Sequence, residues 1–336
     1  MMRSQAISRR EQLLSYLEQA EGAWLSGERL AAELGVSRAA VWKLIRSLET
    51  DGITIEARPS LGYRLDPTTD PLSATAIARR IVTWEPAVTV EHHPLLDSTN
   101  RLAARLAREG AAEGHLVAAS AQSAGRGRYG RSFVSPPDSG VYFSLILRPR
   151  LAYQDALLIT TTAAVAVTEA IRRLLPDLEP EIKWVNDILI DGRKVCGILT
   201  EASLDMESGS IAALILGIGI NVYPPAEGFP AELASIAGAL VPTVRPGLRA
   251  ALVAAVVDAF FAYYPYLNDE EGRSAIVAAY RARCPIAGRA ITVVAGDGTG
   301  RPATALGIDE RGRLNVRYGD GGEDCLGSGE IRVRPR

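Results

Sequence analysis

Apolar residues recur at helical spacing three times within the first fifty positions. Leu13, Leu14 and Leu17 share one face of a helix over residues 11–19. Ser26 opens a second helical stretch, 27–34, which Gly35 closes. Ser37 caps a third, 38–49, with Val41, Leu44, Ile45 and Leu48 at core spacing. The pattern then shortens to two strands, 53–57 and 62–65, joined by Arg58-Pro59-Ser60-Leu61. After Asp66-Pro67-Thr68-Thr69-Asp70-Pro71, a stretch without apolar residues that reads as a linker, longer elements alternate. Strands are predicted over 88–92, 115–121 and 140–147, with a helix over 101–109 behind Ser98-Thr99-Asn100. A nearly apolar helix follows over 156–175, then short strands at 181–184 and 187–190. Strands 195–203 and 210–220 pair around 205–209, and helices cover 245–267 and 272–283. The last fifty residues hold short strands at 291–294, 303–308, 314–318 and 331–333 between Gly- and Asp-rich turns, the pattern of a small barrel.

Helix, helix, tight turn, helix, hairpin is the order of a winged helix-turn-helix. Its third helix would present Ser37, Arg38, Ala39, Trp42, Lys43 and Arg46 to a DNA major groove. Residues 1–66 carry nine basic and nine acidic side chains, so one copy neutralises few phosphates and DNA binding requires a dimer. The whole chain, 336 residues with a formal charge of −2, projects no global basic field. No apolar run reaches the roughly 18 residues of a membrane span, and the polar N-terminus lacks the apolar core of a secretory signal. Cys196, Cys284 and Cys325 are odd in number and far apart, so neither a disulfide framework nor a CxxC metal site is expected. A cytoplasmic, multi-domain protein without a membrane partner follows.

One compositional bias directs attention to the chemistry. Of 37 basic residues only Lys43, Lys183 and Lys194 are lysine. Lysine offers a compact point charge where arginine offers a flat fork, so the exceptions mark places where arginine will not serve. Two of them fall in Lys183-Trp184-Val185-Asn186-Asp187 and Arg193-Lys194-Val195-Cys196-Gly197. An Asn-Asp turn explains Asn186 and Asp187 structurally, but not the lysines. A phosphate and metal site accounts for the lysines, on phosphate oxygens, and for Asp187, as a hard ligand for Mg²⁺. Gly125-Arg126-Gly127-Arg128-Tyr129-Gly130-Arg131 contains a formal GxGxxG, but Ser135-Pro136-Pro137 follows and no helix can open. It reads as an anion-binding loop between strands. Gly217-Ile218-Gly219-Ile220-Asn221 is a strand that a ligand approaches closely. No histidine has an evident Ser or Cys partner. A positive cradle with a metal ligand and no nucleophile suits nucleotidyl transfer, in which the substrate itself attacks.

Taken in order, Ser98-Thr99-Asn100, Gly125 to Arg131, Lys183 to Asp187, Arg193 to Leu199 and Gly217 to Asn221 resemble the biotin protein ligase family. With a winged helix in front and Ser328-Gly329-Glu330 in the last unit, the chain is similar to its bifunctional members, which also repress transcription. The resemblance implies an α+β chain: winged helix over 1–66, a mixed α/β ligase domain over 67–283, and an SH3-like barrel over 284–336. It implies biotin and ATP as substrates, Mg²⁺, a biotin carboxyl carrier protein and operator DNA as partners, and a ligand-promoted homodimer. Ser98, Thr99, Asn100 and Gln122 would hold biotin. Gly125, Arg126 and Arg128 would close over it and the adenylate phosphate. Lys194 would meet the biotin carboxylate, Lys183, Asn186 and Asp187 the phosphates and metal, and Gly197, Gly217, Gly219 and Asn221 the adenylate. Lys194, Arg128 and Asp187 would be the catalytic groups. The chain departs from the family pattern at Val185, where many relatives carry proline, and at Leu147, where an adenine-stacking aromatic is expected. A lipoate-type ligase and a ligand-sensing repressor without ligase activity are the competing readings.

Overall fold

Ser8 starts the first helix before the apolar stripe requires it. Its hydroxyl accepts from Glu11 N, and the Glu11 carboxylate accepts from Ser8 N at 2.9 Å, a closed capping box. The computed structural model describes residues 8–20, 22–50, 53–82, 88–204, 211–294, 298–327 and 332–335. Ser328, Gly329, Glu330 and the 205–209 turn lie outside the described residues. Helix α1 (Arg9–Gln19) packs with α2 (Gly27–Leu34) and α3 (Arg38–Thr50) around Leu13, Leu17, Leu34 and Val41. Gly35 ends α2 at φ 62°, where a side chain would be strained, and Ser37 Oγ accepts from Ala40 N at 3.2 Å. Strands β1 (Ile55–Arg58) and β2 (Gly62–Leu65) form the antiparallel wing.

The expected linker is not loose. Asp70 is buried, and its carboxylate accepts from the Tyr223 hydroxyl at 2.7 Å, Gly247 N at 2.7 Å and Arg249 N at 2.8 Å. It thereby caps, from another part of the chain, the helix that begins at Leu248, whose own N-cap Gly247 has no side chain to do so. The buried Arg249 guanidinium returns bonds to the Asp70 carbonyl and to Gly140 O, each at 2.9 Å. Burial pushes the Asp70 carboxyl up, against the lowering effect of these bonds. A short helix α4 (Ala74–Ala78) follows, and its cap Ser73 also donates to Glu18 of α1 at 3.1 Å.

The central unit is one seven-stranded sheet. Its strands are β3 (Val90–Leu96), β4 (Leu116–Gln122), β5 (Gly140–Leu147), β6 (Glu181–Lys183), β7 (Asp187–Ile190), β8 (Arg193–Leu204) and β9 (Ile211–Asn221). They lie in the order β3-β4-β5-β9-β8-β7-β6, with β3 parallel to β4 and every other neighbour antiparallel. The two faces differ. One packs Val141, Phe143, Leu145 and Leu147 against α6 (Leu157–Leu174) and α7 (Leu248–Tyr263) in the main core. The other carries Val117, Ile146 and Ile215 beneath α5 (Thr99–Arg108), a smaller cluster that leaves the rest of this face open. The stretch Leu248–Asn268 is long and apolar enough to cross a membrane, but most of it is buried against the sheet and its neighbours.

Helix α8 (Glu270–Arg283) leads to the last unit, whose strands are β10 (Ala290–Val294), β11 (Gly300–Ile308), β12 (Leu314–Tyr318), β13 (Glu323–Leu326) and β14 (Arg332–Pro335). They pair antiparallel in the order β13-β12-β11-β10-β14. Among the described residues the outer strands β13 and β14 do not pair with each other, so the expected SH3-like barrel is found as a sheet without closure. The Trp184 indole donates to Gly312 O at 3.0 Å, tying this unit to the turn before β7.

Asp70→Ala strips three donors of a buried acceptor and removes a carboxylate close to the buried Arg249, whose ion pair with Asp138 at 3.4 Å remains. The expected loss is about 3 kcal/mol in urea unfolding. Asp66→Ala, at a half-buried neighbour whose carboxylate accepts from Thr68 N and Oγ1, should cost about 1 kcal/mol or less.

Candidate active site

Three strand positions without a Cβ make a floor on the open face of the sheet. Gly197 stands opposite Gly219, and Leu199 opposite Gly217. On the other side of β9, Tyr142 faces Gly219 and Ser144 faces Gly217. Directly opposed residues share a face, so these side chains and gaps line one surface. The gaps are filled from above. A Cβ on Gly217 would lie 1.9 Å from Asn100 Oδ1, and one on Gly219 would lie 2.6 Å from the Phe133 ring. One on Gly197 would meet Phe133 and Lys194 Nζ at 3.1 Å.

The N-terminus of α5 forms one wall. Ser98 takes the N-cap position, but its side chain makes no cap hydrogen bond and lines the cavity instead. Gln122 at the end of β4 satisfies the helix, accepting from Thr99 N at 2.8 Å and donating to Ser135 Oγ at 3.0 Å. Ser144 donates to Asn100 Oδ1 at 2.6 Å, and its hydroxyl lies 2.8 Å from Thr99 Oγ1. Asn100 is buried and donates to Glu201 at 2.8 Å. It is thus engaged on both ends by protein.

A bulge aims the lysine. Asp187 pairs with Gly197 and Ile188 with Cys196, but Leu189 pairs with Lys194, so Val195 is the extra residue. Val195 and Cys196 both enter the core, and Lys194 returns to the Asp187 side. Its ammonium lies 2.6 Å from Asp187 Oδ1 and 5.9 Å from the centre of the Phe133 ring. Asp187 Oδ1 is buried and accepts no hydrogen bond, so only this ion pair, outside hydrogen-bond geometry, engages it among the described residues. Lys183 faces Asp187 across the β6–β7 pair but is exposed and outside the cavity lining. Asn186 donates to Ile198 O at 2.6 Å and accepts from Arg128 at 3.3 Å.

The glycine-arginine segment is a folded flap. Gly127 N donates to Arg131 O at 2.7 Å and Phe133 N to Gly125 O at 2.9 Å. It carries a single 3-10 turn, Arg128–Gly130, and opens no α-helix. Gly125 is required by packing: a Cβ there would lie 2.3 Å from Phe133 O. Arg126 forks onto Glu201, with one nitrogen at 3.0 Å and the other at 3.3 Å from its two oxygens. Asn221 donates to Gly238 O at 3.0 Å, holding the loop that returns beside Lys194. Phe133 is the aromatic group of the site. Leu147, where an aromatic was expected, lies fully buried on the opposite face of the sheet, since its place in β5 has the parity of Val141, Phe143 and Leu145. Sequence reasoning passed over Phe133, Ser144 and Glu201. Phe133 lies only two positions beyond the arginine run, which was the available signal. Cys196 is fully buried and its thiol is pushed far up by that burial, so it offers no nucleophile.

One cavity of about 50 Å³ gathers Ser98, Thr99, Asn100, Gln122, Arg126, Arg128, Asn186, Lys194, Gly197, Gly217 and Gly219, with Phe133 among them. Gly125, Lys183, Asp187 and Asn221 stand just outside its lining. That volume holds a few water molecules. On α3, Ser37, Arg38, Ala39, Trp42, Lys43 and Arg46 are all exposed, and the Arg46 guanidinium lies 5.4 Å from the Trp42 ring centre.

Comparison with known proteins matches two parts of the chain. Residues 93–221 match the biotin/lipoate A/B protein ligase family, and residues 9–64 match an HTH domain. The chain is 41% identical over 231 residues to the bifunctional ligase/repressor BirA of Bacillus subtilis, covering 69% of this chain and 70% of that one. It is 34% identical over 204 residues to the BirA of Escherichia coli, covering 60% and 61%. The solved biotin protein ligase of Aquifex aeolicus in complex with biotin and ATP superposes with a TM-score of 0.59 at 23% identity, covering 74% of this chain and 99% of that one, a likeness of fold.

Gly217→Ala should cost about 1–3 kcal/mol in urea unfolding, because its methyl displaces Asn100 from the floor. Asn100→Ala vacates that space, so the double variant should be clearly less destabilised than the sum of the two. Gly127→Ala, whose Cβ meets nothing closer than 3.4 Å, serves as the tolerant control.

Proposed function

We propose the working of this site from one premise: the chain belongs to the biotin/lipoate A/B protein ligase family, among its bifunctional ligase/repressors. It is a biotin protein ligase. The biotin carboxylate attacks the α-phosphorus of ATP, pyrophosphate leaves, and the biotinyl-5′-AMP anhydride remains. A lysine amine of a biotin carboxyl carrier protein then attacks the anhydride carbon, and AMP leaves. The observation that carries the reading is the shared cavity: a hydrogen-bonding wall at Ser98, Thr99 and Gln122 faces Lys194, Arg126 and Arg128 across a floor without side chains. The wall suits a neutral polar ring system and the cations suit a carboxylate turning into a phosphoanhydride.

Lys194 holds the reacting carboxylate and offsets charge building on the phosphate. Arg128, braced by Asn186, covers the anhydride and keeps water from it. Asn100 acts through Ser144 and Glu201, shaping the floor. Asn221 acts through the returning loop and approaches the adenine. Lys183 stands at the rim for the leaving phosphates. The buried Oδ1 of Asp187, paired with Lys194 but accepting no hydrogen bond, fits a hard cation, but no group of three His, Cys, Asp or Glu side chains gathers among the described residues. Asp187 would hold Mg²⁺, which would offset negative charge on the phosphates. A cavity of 50 Å³ does not admit a bicyclic ligand, so the flap lifts when biotin enters. The exposed α3 face reads operator DNA as a ligand-promoted dimer, with 1–66, 67–283 and 284–336 as the working units.

The direct test incubates the protein with labelled biotin or lipoate, MgATP and a carrier domain; labelled carrier is expected with biotin alone. Two variants separate the half-reactions. Arg128→Gly removes a charge-assisted contact worth roughly 1.5–3 kcal/mol, so escape of biotinyl-AMP should rise by about one to two powers of ten. Bystander lysines would then be labelled. Lys194→Gln should instead depress adenylate formation. Pyrophosphate release and bystander labelling, measured side by side, distinguish them. An Arg128→Gly enzyme that keeps its adenylate refutes the role given to the flap.

Operator binding should be salt-sensitive and rise with protein concentration and with biotin plus ATP. Deleting residues 1–66 should abolish it and spare ligation, since Asp70 and its cap on α7 remain. Loss of ligation in that truncation means the units do not separate there.

A further inference from the structure

The flap needs something to close against, and the floor supplies it. Glu201 follows Gly197 and Leu199 along β8 on the same face, opposite Ile215. Its row is otherwise apolar, with Ile146 and Ile215 in the cluster under α5. A carboxylate beside that cluster is costly unless engaged, and both of its partners belong to the site. Arg126 of the flap forks onto it at 3.0 and 3.3 Å, and Asn100 of the wall donates to it at 2.8 Å. Asn100 in turn occupies the space above Gly217 and accepts from Ser144. One carboxylate therefore joins the movable part of the site to its fixed part.

We propose that Glu201 is a positioning residue: a clasp that sets the closed position of the 123–133 flap through Arg126 while fixing Asn100 on the floor. Resting on the biotin ligase reading, it gives that site its control over how long the adenylate stays. Glu201 need not touch biotin or ATP. Because the ion pair is partly exposed, its effect is modest and falls on retention of ligand more than on the bond-making step.

The test is a double-mutant cycle on the full chain. Glu201→Gln keeps an acceptor for Asn100 and removes the charge that holds Arg126. It should speed amide hydrogen exchange in 123–133 of the ligand-free protein and raise biotin KM and biotinyl-AMP escape about two- to five-fold. The kcat for transfer from saturating adenylate should stay within two-fold. In an Arg126→Gln background, Glu201→Gln should add nothing to any of these. Glu201→Ala, which also releases Asn100, should raise KM further, and Glu201→Asp should restore part of the retention. Equal effects of Glu201→Gln with and without Arg126, or unchanged flap exchange, overturn the clasp. Failure of the unsubstituted chain to release pyrophosphate with biotin and ATP overturns the ligase reading instead, and the exchange measurement still decides the clasp. Melting temperatures of each variant identify any that fail to fold.

Discussion

The site depends on the absence of side chains at the centre of a sheet. At 197, 217 and 219 the backbone of β8 and β9 is bare toward the open face, and Asn100, Phe133 and Lys194 rest directly on it. Glycine weakens a strand, since it orders more backbone and packs nothing. The weakness is tolerable because β5, β9 and β8 lie in mid-sheet, laddered on both sides, and their opposite face is packed into the main core. A rigid floor bare at these three positions lets its contents be supplied by other segments: a helix start, a flap and a bulged strand. Each arrives from a different part of the chain, and the flap, which is outside the ladder, can move without breaking it.

The junction between the two activities rests on a second buried interaction. Asp70 caps α7, accepts from Tyr223 and receives Arg249, which also binds Gly140 O. Gly140 is the register partner of Asn221, two residues before Tyr223. The end of the wing at Leu65 is five residues before Asp70. The segment that leaves the DNA-facing unit is thus hydrogen-bonded to the strand ends that frame the floor. Polar groups buried this deeply hold their geometry because each would be expensive to leave unpaired.

Much of the architecture was legible because local rules govern it. The three N-terminal helices, the wing and the central elements follow from apolar spacing and capping residues, and Gly35 and Ser37 do what their chemistry predicts. The lysine census located Lys194 among 37 cations. What escaped depends on pairing register, which one chain does not print. That Leu147 lies on the core face, away from the site, is not visible in the sequence, because the parity of β5 is set by its partner β9. Glu201 and Ser144 became site residues only once strands β5, β9 and β8 were aligned. The anchoring of the linker was not visible because a stretch without apolar side chains can still be held by a single carboxylate. Closure of the last sheet is likewise a property of long-range pairing, and the glycine-rich turns that suggested a barrel specify only local reversals.

The bulge at Val195 explains why a chain so rich in arginine keeps a lysine at 194. The bulge turns the side chain toward Asp187 in a space bounded by the Phe133 ring and by Gly197, whose missing Cβ would lie 3.1 Å from Nζ. An ammonium fits there as a point charge and can rotate its three donors from Asp187 to an arriving carboxylate. A guanidinium is wider and planar. To fit it would lift Phe133 from the floor, and its fork would commit to Asp187 in one orientation. At Arg126 the requirement is reversed: a flap that must return to one position gains from a fork that meets both oxygens of Glu201. On the proposed mechanism, the same composition assigns a rotatable charge to the group that changes partners during the reaction and a rigid one to the group that holds the flap in register.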